Sequence, residues 1–526
     1  MSGHGDRDPA VATAAAGGRV QGVVIGAAAF AFFAWWSARD DFLGNLSDGD
    51  VYVLVADLFS PWRDTPHALG TTLFADFPFP PLFPALLGLL GGGSAWPAAT
   101  YLATSALLAL MLVVVRAWLA GLLGSATLAS AATLLLAALP GTLLLAFNVV
   151  SEPLYVAVSI AAVGTFAAAR NPRTWLVAAI LGGLAVLARS AGIALVAAAL
   201  VALVRAPGWR VRLGAALALV GPGLAWSAWR ASLATRVDYL DSIAAGDAAA
   251  TAARLAAVIA FNAVHAAGAA SELFAANPGP AARAVLVIGA AVAGAVWLAR
   301  LRQGALDALY FGAYLAMILA WPHPGHMARF LWVLLPIALA YLLLGSAWLA
   351  RGGDLTRPLQ AVTLLALALV ATPTTLGMFT EVWQAAGTDA AWVRSPQWHA
   401  AGGAAKARAV LRPLGDIVEA MQGIDQHVPP GACVSTIERA RVALHGHRRA
   451  FELPPSGSSD ETLRHALRQC PWVFMIAARQ WPDAGYPPMY PYPQIQAELD
   501  VVEVKLWDAA AERGTVLTML ARYRGP

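Results

Sequence analysis

Long apolar runs recur along most of the chain, at about 20–37, 98–119, 125–148, 154–169, 174–188, 191–204, 213–232, 281–299, 304–320, 330–349 and 358–376. A helix needs about 20 apolar residues to span a bilayer core. The runs are continuous, unlike the short alternating segments of a membrane barrel, so they predict eleven helical spans. Residues 174–188 and 191–204 are short for spans and meet at Arg189-Ser190, which predicts tilted or partly re-entrant helices. The Ala-rich stretch 249–276 is read as a helix outside the membrane or at its interface. Counting it as a span would move four later arginines to the outer side.

The pattern changes after about Thr380, where charges, Pro and Trp return and the apolar runs shorten. Residues 405–422 and 459–468 read as helices, and Ala432–Thr436, Trp472–Ala477, Val501–Leu506 and Val516–Tyr523 as strands. The expected organisation is a membrane domain over 1–379, with an outer loop at 38–97, and a small α/β domain over 380–526. The only cysteines, Cys433 and Cys470, fall in the second domain. A disulfide and two free thiols are both open there.

Composition sharpens the class. Of 526 residues, 59% are hydrophobic and 13% charged, against about 25% charged in soluble domains, so lipid is the main solvent. Charge placement gives orientation. With the N-terminus inside, the inner turns carry Arg116, Arg170, Arg173, Arg205, Arg210, Arg212, Arg300, Arg302, Arg351 and Arg357. The first outer loop instead carries seven aspartates (Asp40, Asp41, Asp48, Asp50, Asp57, Asp64, Asp76) against Arg39 and Arg63. This asymmetry follows the positive-inside rule and puts the C-terminal domain outside the cytoplasm. No small-residue cleavage site is evident between the first run and Arg39, so a retained span is expected. Lysine is absent before Lys406, which fits a bacterium rich in genomic GC and hence its inner, plasma membrane. No basic stripe with interleaved aromatics marks a nucleic-acid partner.

Polar residues near the outer ends of spans are the candidate chemistry. Asp48-Gly49-Asp50 follows the first span and precedes an apolar helix-like stretch, Val51–Phe59. It is either an acidic turn or a functional pair, in which a carboxylate near low-dielectric walls acts as a base or the two hold a divalent cation. In Phe77–Pro84, four prolines preclude a helix interior; Pro81 or Pro84 is expected to start a helix at the interface, running to Leu90. Glu152, in Ser151-Glu-Pro-Leu-Tyr155, is either a helix-dipole partner or a second outer carboxylate. Arg189, His323, His326 and Arg329 are outward-facing cations in apolar surroundings. They need an anion, either a phosphate gripped by an arginine fork or a structural salt bridge to Glu152 or a loop aspartate.

Taken in order, these phrases resemble the GT-C superfamily of integral membrane glycosyltransferases. The likeness is to the branch with protein O-mannosyltransferases and the lipid A aminoarabinose transferase. It rests on acids after the first span (Asp48, Asp50), a Pro-Pro-Leu-aromatic-Pro phrase (Pro80–Pro84), Ser-Glu-Pro at the second outer loop, Arg189-Ser-Ala-Gly192, and Arg329-Phe330 ahead of Pro336. It covers roughly residues 20–345.

The resemblance implies a GT-C-like polytopic all-α fold and transfer, with inversion, from a polyprenyl-phosphate-sugar to a glycan, lipid or protein acceptor. It implies Asp48 or Asp50 as base, Glu152 as auxiliary carboxylate, and Arg329 with Arg189 on the phosphate; His326 is a further candidate ligand. No organic cofactor is expected, and a divalent cation, if used, would fall to Asp48 and Asp50. The competing readings are a transporter or lipid-linked-sugar flippase and a scaffold with an external binding domain. Transporters, however, usually place ionisable groups near the midplane and show related halves. The C-terminal domain is expected to recognise the acceptor.

Overall fold

Proline punctuates the helices of this chain. Pro97, Pro140, Pro172 and Pro280 each stand in the first turn of a helix, where a missing N–H costs nothing. The structure is a computed structural model that describes residues 9–38, 48–63, 68–76, 79–233, 247–321, 327–385, 416–454, 459–476, 496–506 and 516–525. It is an all-α polytopic membrane bundle with a small C-terminal sheet domain. The first long helix, α1 (Pro9–Ser37), leads to three short ones, α2 (Gly49–Ala56), α3 (Ala68–Asp76) and α4 (Leu82–Leu89). The bundle continues with α5 (Pro97–Leu123), α6 (Ala126–Ala138), α7 (Pro140–Ala146), α8 (Glu152–Ala168), α9 (Pro172–Ala188) and α10 (Ile193–Leu203). It closes with α11 (Trp209–Ala231), α12 (Ala248–Glu272), α13 (Pro280–Arg302), α14 (Leu306–Leu319), α15 (Met327–Trp332), α16 (Leu335–Leu349) and α17 (Thr356–Ala385).

Six of the described helices are long and apolar enough to cross a membrane: α1, α5, α11, α12, α13 and α17. The run 125–148, expected as one span, is broken. Leu139 is extended (ψ 141°), and α6 and α7 meet at 63°. A residue before proline is pushed out of the helical region, and Pro140 supplies that push. Five further apolar helices are shorter.

Two contacts define the ends of the bundle. Arg205 Nη1 donates to the Gly304 carbonyl at 2.9 Å, joining the turns after α10 and α13. Arg357 Nη2 reaches the carbonyls of Leu123 and Gly124, joining the turns after α16 and α5. Since α11 leaves the first of these turn pairs and α13 returns to it, Ala231 and Pro280 lie at the opposite end. Helix α12 connects them there. Its only buried residue, Asn262, donates to the carbonyls of Leu319 (2.9 Å) and Trp321 (2.6 Å) at the far end of α14. Length and composition would let α12 cross a membrane, yet its midpoint lies against the end of the bundle.

The short helices form a platform at that same end. Helix α4 starts after Pro81 and packs beneath α2, where Tyr52 meets Phe79 and Phe83 at ring separations of 5.0 and 4.8 Å. Behind them the buried carboxylate of Asp57 pairs with Arg63 and accepts from Ser94 N (3.0 Å) and Oγ (2.7 Å). Phe77 and Pro78 lie outside the described residues.

In the C-terminal part, a helix at residues 416–422 (α18) and α19 (Ile424–His427) precede a five-stranded mixed sheet. Its strands are β1 (Cys433–Thr436), β2 (Arg449–Glu452), β3 (Trp472–Ile476), β4 (Leu499–Leu506) and β5 (Val516–Tyr523), in the order β2-β1-β3-β5-β4. Helix α20 (Arg439–Gly446) connects β1 to the parallel β2, and α21 (Asp460–Gln469) connects β2 to β3. The four expected strands are present. Helix α20 and the four-residue β2 are additional, and β2 (Arg-Ala-Phe-Glu) is too short and too charged to show a period. Cys433 and Cys470 are joined as a disulfide with Cα atoms 5.4 Å apart.

Gly93 is one of the platform positions that tolerate no side chain. Its φ is +143°, and a Cβ there would collide with Asp57 Oδ1. Gly93→Ala is expected to destabilise the protein by about 1–3 kcal/mol through backbone strain and a displaced carboxylate, read as a lower Tm in detergent.

Candidate active site

Asp48 and Asp50 are two residues apart at the start of a helix. Each helical residue turns by about 100°, so their side chains leave α2 on nearly opposite sides. Asp48, at the N-cap, makes no side-chain cap bond, and its Oδ2 lies 2.8 Å from Arg329 Nη1 in the bundle. Asp50 turns to the C-terminal domain, where Arg441 Nε donates to its Oδ2 at 3.1 Å. Tyr52, four residues after Asp48, shares its face and donates to Ser151 Oγ at 3.2 Å.

Glu152 is fully buried at the first position of α8. Arg329 clasps its carboxylate, Nε pairing with Oε1 and Nη2 donating to Oε2 at 3.1 Å. Arg189 Nη1 adds a contact to Oε1 at 2.7 Å and donates to Ser151 Oγ at 3.2 Å. The Arg189 guanidinium also lies 5.2 Å from the centroid of the Phe330 ring. The result is a chain of alternating charge, Asp48–Arg329–Glu152–Arg189, with two positive and two negative members. Its exposure is graded: 25% for the Asp48 side chain, 14% for Arg189, 7% for Arg329 and none for Glu152. Solvent and ligands therefore meet Asp48 first.

Local structure explains how Arg189 arrives. Helix α9 ends at Ala188, Arg189 is extended (φ −159°, ψ 136°), and Ser190–Gly192 make a single 3₁₀ turn. That turn folds onto the end of α9 so closely that a Cβ on Gly192 would stand 2.5 Å from Val186 N and 2.6 Å from Ala185 C. The small-Gly part of the phrase is thus a steric requirement for presenting Arg189. Tyr155 Oη holds the turn by donating to the Ala191 carbonyl (3.2 Å), and Tyr310 Oη donates to Tyr155 Oη (2.9 Å).

Of the expected residues, Asp48, Glu152, Arg189 and Arg329 come together. Asp50 is turned away to Arg441, and His326 lies outside the described residues. The arginines have carboxylate partners, as the salt-bridge reading expected. Among the described residues no cluster of three or more His, Cys, Asp or Glu is placed to hold a metal ion. The sequence reading missed Tyr52, Tyr155 and Arg441. For Tyr52 the i+4 spacing from Asp48 was the available signal.

Burial pushes the Asp50 carboxyl up from 3.8 to about 7, outweighing the lowering effect of Arg441, while Glu438 and Asp48 push it further up. The folded protein then binds a proton that the unfolded chain has released, so Asp50 costs stability as pH rises from about 4 to 7. The Tm of Asp50→Asn relative to wild type should therefore increase between pH 5 and pH 8. Glu152→Gln should destabilise by about 3–5 kcal/mol, because it leaves two buried guanidinium groups without their shared anion; thermal unfolding in detergent measures it.

No family model and no curated protein matches the sequence. Solved structures do match. ArnT from Cupriavidus metallidurans in the apo state aligns at TM-score 0.51 and 14% identity, over 96% of this chain and 98% of that one. The same protein bound to undecaprenyl phosphate aligns at 0.50 and 14%, over 95% and 97%. The Archaeoglobus fulgidus oligosaccharyltransferase in its apo form aligns at 0.46 and 13%, over 86% of this chain and 70% of that chain. Over nearly its whole length, the chain has the fold of ArnT.

Proposed function

We propose that this protein is a membrane glycosyltransferase that moves a sugar, with inversion, from a polyprenyl-phosphate donor to an acceptor at the extracytoplasmic face of a bacterial inner membrane. The observation that carries the reading is the Asp48–Arg329–Glu152–Arg189 chain, which offers an arginine fork and an accessible carboxylate at one end of an ArnT-like bundle. Solved ArnT holds undecaprenyl phosphate within the same fold. The arginine-bearing turns at the opposite end support an inside location for that end, and so an outside site and a cytoplasmic N-terminus.

In the mechanism, Asp48 takes the acceptor proton as the acceptor oxygen or nitrogen attacks the anomeric carbon. The bond from that carbon to the phosphate oxygen breaks on the opposite face, and the polyprenyl phosphate leaves with the bonding pair. Arg329 and Arg189 neutralise the charge developing on it. Asp48 is paired with Arg329. A donor phosphate competing for Arg329 releases that carboxylate, so donor binding precedes proton abstraction. Glu152, held by two arginines, keeps both cations at the membrane mouth.

The test is transfer from a panel of radiolabelled polyprenyl-phosphate-sugars in membranes expressing each variant. Asp48→Asn should lose about 10²–10⁴-fold, the range for a general base, and Arg329→Ala about 10²–10³-fold, the range for one charge-stabilising group. Variants as active as wild type would refute these roles. Saturable transport of the lipid-linked sugar without transfer would favour the flippase.

A further inference from the structure

Helix α2 is buried along its whole length. One face packs on the bundle through Tyr52; the other meets α20 of the C-terminal domain. Arg441 of α20 and Asp50 of α2 are both buried, at 5% and 2% exposure, and separated by 391 residues in sequence. A second pair lies alongside: Arg439 Nη1 is 2.7 Å from Asp76 Oδ2 at the end of α3, and its Nε is 3.6 Å from Glu452 Oε2 of β2. The short outer helices are thus held by two arginines of the first turn of α20. Asp50 Oδ1 has no hydrogen-bond partner, so this pair is made on one side only.

We propose that Arg441 is a positioning residue: through Asp50 it clamps α2 and thereby sets the place of Asp48 beside Arg329. Asp50 is then an anchor and not the base, and the C-terminal domain completes the site from above, whatever else it binds. This rests on the reading of Asp48 as the proton acceptor. The geometry favours it on two counts. The helix period that sends Asp48 to the bundle sends Asp50 away from it, and a carboxylate only 2% exposed cannot meet an acceptor without the two domains separating.

The experiment uses the full-length protein in proteoliposomes with a donor that the wild type transfers. Arg441→Met should lower kcat by about 10–100-fold, since small displacements of a reacting group cost that much, with donor KM unchanged. Asp50→Asn, which still accepts from Arg441, should stay within about threefold of wild type. The apolar pair Asp50→Leu with Arg441→Met should recover most of the loss, because a buried ion pair can be replaced by packed apolar groups. Hydrogen exchange at residues 51–56 reads the clamp without catalysis and should quicken in Arg441→Met alone.

Unchanged exchange and kcat in Arg441→Met would overturn the clamp. Loss of transfer in Asp50→Asn with folding intact would make Asp50 the base and overturn its role as anchor. Full activity in Asp48→Asn would instead sink the reading of Asp48, while the exchange result still judges the clamp by itself.

Discussion

A carboxylate with no access to water can stay charged only if cations reach it, and Glu152 is in that position. Removing an ion from water costs several kcal/mol even after relaxation, so a fully buried Glu152 obliges other parts of the chain to supply positive charge. Arg189 comes from the break between α9 and α10, and Arg329 from the short helix ahead of α16. Three distant segments are thereby tied at one end of the bundle. The Arg329 fork, spent on Glu152 through Nε and Nη2, still offers Nη1 to Asp48. The accessible acid is held by what the buried acid leaves over.

The same economy of one helix serving two partners appears in α2. The helix and its N-cap direct Asp48 to the bundle and Asp50 to the sheet domain, and the apolar residues that follow, Val51–Ala56, are buried. Gly93 and Gly192 mark where the surrounding turns come too close for any side chain. These are the sites at which packing, not chemistry, dictates the residue.

Much of this is legible in the chain itself. Continuous apolar runs show helices because lipid permits little else, and the arginine turns show which ends belong together. Pro81 or Pro84 announces a helix, which starts after Pro81, and the apolar runs at Ala432, Trp472, Val501 and Val516 announce the sheet. What escaped has a common cause. Asp48-Gly-Asp50 reads as a paired motif in one dimension and separates only when wound at 3.6 residues per turn. Arg329 finds Glu152 across 177 residues, and Arg441 finds Asp50 across 391. No local period reports such meetings. Pro140 was visible within its run, but an otherwise continuous apolar stretch concealed how sharply it bends the chain.

The separation of Asp50 from Arg441 also has a consequence in time. The platform helices are made first, whereas the cation that closes over them emerges 391 residues after Asp50. Until then Asp50 must be accommodated without its partner, and a carboxyl with raised proton affinity can do so as the neutral acid. A ribosome that stops short of α20 leaves the helix of Asp48 unclamped, so synthesis through α20 becomes a condition for completing the site.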